Sequence, residues 1–104
     1  MTFAEFERSV VAGSAPAAEV APAAEVAPAL QALWHDARGD WAEAHRWAQD
    51  DLSRAGSWVH AYLHRKEGDL ANAEYWYARA RRMAPASSVA LDVEWAEIAR
   101  ELLN

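Results

Sequence analysis

The chain has 104 residues, a net charge of −6 and no cysteine, while carrying six tryptophans. Disulfides and thiolate metal sites are thereby excluded, and a general nucleic-acid binder, which needs a basic face, is disfavoured. No apolar run approaches the roughly 18 residues of a membrane span, and acids at Glu5 and Glu7 stand where a signal peptide has its basic and apolar parts. The expected setting is the cytoplasm, without membrane or nucleic-acid partners.

Residues 1–12 predict a short helical arm. Thr2 is its cap, Glu5 closes a capping box, and Phe3, Phe6 and Val10 form one stripe. So short a helix is marginal alone, so its phenylalanines need a surface on this chain or on a partner. Residues 13–28 repeat Pro-Ala-Ala-Glu-Val-Ala from Pro16 and again from Pro22, ending at Pro28. Regularly spaced prolines break a helix, so this segment reads as a semi-extended linker.

A helical repeat domain is expected over 29–104. Leu30, Leu33 and Trp34 make the stripe of its first helix, and Arg38-Gly39-Asp40 ends it and caps the next. The second helix runs from Trp41 to about Leu52 with Trp41, Ala44, Ala48 and Leu52 inward and His45 exposed. Ser53-Arg-Ala-Gly56 is expected to turn the chain, with Ser57 capping a third helix over 58–67. Gly68-Asp69 divides that helix from a fourth, which Pro85 stops. A fifth, over 88–103, is capped by Ser88. It buries Leu91, Trp95, Ile98 and Leu102 and exposes Asp92, Glu94, Glu97, Arg100 and Glu101.

Sliding the chain by 29 residues superposes Ala32 on Ala61, His35 on His64, Gly39-Asp40 on Gly68-Asp69, Ala42 on Ala71, Ala44 on Ala73 and Trp47 on Trp76. Two stacked helix-turn-helix hairpins follow, closed by a C-terminal capping helix, in an all-α fold.

Gly68-Asp69-Leu70, Ala73, Tyr77, Ala80 and Pro85 resemble the second half of a tetratricopeptide repeat, and Ala73-x-x-Trp76-Tyr77-x-x-Ala80 is similar to the Sel-type repeats. The 29-residue offset is shorter than the tetratricopeptide unit, and His35 and His64 stand where that family places an aromatic. The resemblance implies a protein- or peptide-binding module whose groove is lined by the first helix of each hairpin. Trp58, Tyr62, Arg65 and Lys66 would then meet a short peptide or an acidic protein surface, and a homodimer through the arm is an alternative.

One constellation points to other chemistry. His60 and His64 lie one turn apart, and Glu67 follows at i+7, so two imidazoles and a carboxylate can converge on a zinc ion, in a small metal-dependent or acid/base enzyme or a small-ligand binder. The competing reading is structural, with the histidines bonded to Tyr75, a turn carbonyl or a carboxylate. Arg79, Arg81 and Arg82 read as a solvated basic helix end, with a phosphate or acidic partner as the alternative. Covalent catalysis has no support, since cysteine and glycine-rich loops are lacking and the serines fall in turns or caps.

Overall fold

The structure, a computed structural model, describes residues 1–14 and 26–104. Six helices follow in order: α1 (Phe3–Ala12), α2 (Ala27–Ala37), α3 (Trp41–Gln49), α4 (Arg54–Glu67), α5 (Leu70–Ala80) and α6 (Leu91–Leu103). The expected linker lies mostly outside the described residues, and α2 begins inside its far end, with Pro28 in the first turn where its missing amide costs nothing.

Helices α2 and α3 pair as one hairpin and α4 and α5 as a second, with α3 against α4 joining them. Both hairpins turn the same way. Gly39 and Gly68 take left-handed backbone at φ 83° and 89°, which a side chain would resist. Asp40 and Asp69 then cap α3 and α5 by accepting from the amides of Glu43 and Asn72. The 29-residue offset is therefore visible in backbone geometry, and Ala44, Ala61 and Ala73 on the facing sides are buried.

The α3–α4 connection differs from expectation. Ser53, not Ser57, caps α4, its hydroxyl accepting from the Gly56 amide at 3.1 Å, so Gly56 sits inside the first turn and Ser57 is buried. A Cβ at position 56 would lie 2.2 Å from the Asp51 carbonyl oxygen, which explains a glycine in a helix. Helix α3 stops at Gln49 and leaves Leu52 exposed. Helix α5 ends at Ala80, five residues short of the proline, because Arg81 adopts left-handed backbone and its amide and that of Arg82 close the end on Ala78 and Tyr77. Helix α6 starts at Leu91, with Ala90 rather than Ser88 at its cap.

The C-terminal helix lies on α4 and α2, the first helices of both hairpins. Trp95 spans this contact by donating from its indole to the Leu33 carbonyl at 2.9 Å. Ile98, Ala99 and Leu102 are buried beneath. Helix α1 covers the remaining edge. Phe6 is fully buried and stacks on Trp95, with Phe3 edge-on to the same ring. Arg38 donates to the Val10 carbonyl at the end of α1, and the Trp34 indole donates to Ser9. The arm's apolar stripe thus finds its surface on this chain.

Glu94 corrects the reading of α6. Expected on the solvent face, it is 3% exposed, accepting from Arg65 at 2.8 Å and from the Tyr77 hydroxyl. A buried carboxylate is tolerable here because both oxygens are engaged.

Candidate functional site

The first-helix face expected to form a peptide groove is internally occupied. Trp58 is 5% exposed, with the Arg82 guanidinium 4.0 Å above its ring. Tyr62 is 2% exposed and donates to Asp36 at 2.8 Å, and Lys66 donates to the other oxygen of that carboxylate, also at 2.8 Å. Arg65 holds Glu94 and the Val89 carbonyl. All four residues named for a partner are committed inside the chain, to Asp36 of α2, to Glu94 of α6 and to Arg82 just beyond α5. Burial and the Asp36 charge also push the Tyr62 phenol far above its usual range, so it remains a neutral donor.

The structure instead gathers histidines between the two hairpins. His60 and His64, one turn apart on α4, have ring centroids 4.7 Å apart, and His45 of α3 stands 4.7 Å from the first and 5.1 Å from the second. One nitrogen from each falls within 4.8 Å of the others. Trp41 builds the site from the α3 side. Its indole donates to the Leu63 carbonyl, pinning α3 to α4, and its ring stacks on His45, one turn along. Trp76 of α5 stacks on His60 at 4.0 Å.

The nitrogens have distinct surroundings. Nε2 of His45 and Nε2 of His60 are 3.0 Å apart, so without a metal one donates and the other accepts. Nδ1 of His60 is buried without a hydrogen-bond partner among the described residues. The least costly tautomer therefore places the proton on Nε2 of His60 and leaves Nδ1 a bare lone pair. Nδ1 of His64 lies 2.7 Å from the Glu67 carboxylate, which holds the proton on that nitrogen and leaves Nε2 free to coordinate.

Desolvation and the neighbouring histidines lower His60 from its usual value to about 4. His45 is lowered too, first by desolvation and then by His64, against an opposing pull from Glu67. Neutral imidazoles are the metal-binding form.

Of the trio His60, His64 and Glu67 expected from helical spacing, the two histidines converge, whereas Glu67 serves as an outer partner of His64. The member that spacing missed is His45. Its signal was present, since Trp41, His45, Ala48 and Leu52 follow the helical spacing i, i+4, i+7, i+11. Ala44 is buried as expected, but His45, expected exposed, turns toward α4 beside it. His35, the repeat equivalent of His64, takes no part and packs against Trp34 and Trp47. Of the three consecutive aromatics, Tyr77 is buried, Trp76 covers His60, and Tyr75 is exposed.

Comparison with protein-family models, with curated proteins and with solved structures gives no match for this chain.

Proposed function

We propose that the protein binds one transition-metal ion, zinc in the first instance, through His45, His60 and His64, with Glu67 orienting His64 from behind. The observation that carries this reading is the convergence of three imidazoles from two different hairpins on one point. Zinc–nitrogen bonds of about 2.0–2.1 Å place tetrahedral ligands about 3.3 Å apart, near the 3.0 Å separation of the His45 and His60 nitrogens. His64 completes the triangle by a side-chain adjustment. Three neutral nitrogens without cysteine favour zinc, nickel or copper over calcium or magnesium.

Two costs weigh against it. Metal binding through Nε2 of His60 forces the proton to the unpartnered Nδ1, at about 1–3 kcal/mol. The two α4 histidines must also stay neutral. Micromolar binding corresponds to about 8 kcal/mol remaining after both costs are met. Asp69, with Glu67 and His64 in a neighbouring donor group, makes the rim acidic and attractive to cations.

Zinc titration at pH 7, followed by heat and by melting temperature, tests the reading. One equivalent bound in the micromolar range or tighter, with a raised melting point lost in the His60→Ala, His64→Ala double variant, is the expected result. A folded protein that takes up no zinc, nickel or copper would retire it.

A second reading, the protein- or peptide-binding module implied by the repeat resemblance, is favoured by one observation. The surface of α2 and α6 already holds an amphipathic helix through its two phenylalanines. A labelled peptide of residues 1–14, titrated into a Phe3→Ala, Phe6→Ala chain, tests whether that seat accepts a helix in trans. Absence of binding to the folded variant would remove this reading.

A further inference from the structure

At the opposite end of α4 from Glu67, a cavity of about 300 Å³ opens between the start of α4, the end of α5 and Leu102 of α6. Arg54, Arg81 and Arg82 line it with Trp58, and among the described residues no carboxylate does. In a chain of net charge −6, three guanidiniums around one cavity run against the composition.

The three arginines are differently employed. Arg82 sits over the Trp58 ring, its guanidinium carbon 4.0 Å from the centroid, and pairs with the exposed Glu101, which leaves some of its five donors over. Arg54 and Arg81 have no carboxylate partner among the described residues. Arg81 also stands out in its backbone. At φ 57° it is the one non-glycine residue with positive φ among those described, a conformation that strains an L residue and that glycine adopts freely. An arginine nonetheless occupies this position, next to the cavity.

The backbone adds little net charge here, since the Asp51 carboxylate already lies at this end of α4, accepting from the Ser53 amide. Arg54 and Ala55 begin a helix of 14 residues, and their amides have no partner within it, while the Gly56 amide is taken by Ser53. The negative pole of α5 opposes this, but the amides of Arg81 and Arg82 close on the α5 carbonyls and reduce it.

We infer that this cavity binds a phosphate monoester. Arg54, Arg81 and the remaining donors of Arg82 meet the phosphoryl oxygens, a dianion suited to guanidinium forks. The edge of Trp58, Ala55 and Leu102 meet the organic part, which explains an apolar wall inside a basic cavity. The inference is independent of the metal reading, since the two sites share no residue.

The test is an amide and indole NMR titration of the full chain with phenyl phosphate and, separately, inorganic phosphate. Phenyl phosphate is expected to shift the amides of Arg54, Ala55, Arg81 and Arg82 and the Trp58 indole. Inorganic phosphate should bind several-fold more weakly and spare the indole. An Arg54→Gln, Arg81→Gly variant should lose at least about tenfold in affinity, the loss expected when charge-assisted hydrogen bonds go. Glycine relieves the backbone at 81, so folding is preserved and remains visible in the unperturbed spectrum. No shift with either probe, or equal binding by the variant, overturns the site. Equal affinity for both probes overturns the ester assignment and leaves an oxyanion site alone.

Discussion

Nε2 of His45 and Nε2 of His60 lie 3.0 Å apart, although the residues are 15 positions apart and belong to different hairpins. Between them and His64 the protein holds three imidazoles that cannot all become cations without repulsion in a desolvated setting. Protonation is therefore a test of their environment.

His60 has a folded value of about 4 against an ordinary 6.5, so between those values the unfolded chain binds more protons than the folded one. Stability contributed by the neutral ring is fully present above pH 6.5, falls through the window from 6.5 to 4, and is gone below it. The size from this residue is on the order of 3 kcal/mol. His45 shifts in the same direction, with His64 and Glu67 facing both. Urea midpoints measured from pH 7.5 to 4 should fall steeply in the wild type and more shallowly in His60→Gln.

Phe6→Ala should release the arm rather than leave a cavity. Phe6 is the one buried residue of α1, and a ten-residue helix does not persist alone in water. Truncating a buried phenylalanine costs about 3–5 kcal/mol, and undocking α1 limits the loss to what the arm contributes. The expected signature is lower far-ultraviolet helicity and a red-shifted tryptophan emission as Trp95 meets water, with the hairpins still melting cooperatively. Unchanged emission would show that the arm stays docked.

Gly56→Ala should be far worse than Gly39→Ala. At 56 the new methyl meets the Asp51 carbonyl oxygen at 2.2 Å, so the α3–α4 connection must move. At 39 nothing among the described residues lies within 4 Å, and only the positive φ resists, at about 1 kcal/mol. Chemical denaturation of the two variants should separate them by at least about 2 kcal/mol.

Removing one member of the Arg65–Glu94 pair should cost more than removing Lys66. The side chains of Arg65 and Glu94 are 12% and 4% exposed, whereas that of Lys66 is 38% exposed. Arg65→Met strands a buried carboxylate, at about 3–5 kcal/mol, although the Tyr77 hydroxyl still donates to it. Lys66→Met also leaves a buried carboxylate, Asp36, with one tyrosine hydroxyl, but the side chain removed is itself half in water and holds nothing else among the described residues, whereas Arg65 also holds the Val89 carbonyl. Equal melting temperatures in the two variants would contradict this ordering.

Much of the fold was legible because local rules and the repeat agreed. Thr2 and Glu5 form the expected capping box, and Gly39-Asp40 and Gly68-Asp69 turn as their spacing requires. What was not legible depended on where α6 lies. Glu94, Trp58 and Tyr62 read as surface residues on a stacked array, and become core once α6 crosses α2 and α4. The histidine site was half legible for a different reason. His60 and His64 share a helix and announce themselves by spacing, whereas His45 joins them only through the packing of α3 on α4, to which periodicity on one helix is blind.

The bond from Trp95 to Leu33 ties positions 62 residues apart and lies under the arm. A stacked repeat array is ordinarily free to grow one unit at a time as it leaves the ribosome, each hairpin resting on the last. Here the first hairpin keeps an uncovered apolar face until α6 has been made. Cover of the first hairpin thus waits until α6 has been made, and a chain halted before Trp95 presents that face to chaperones or to aggregation.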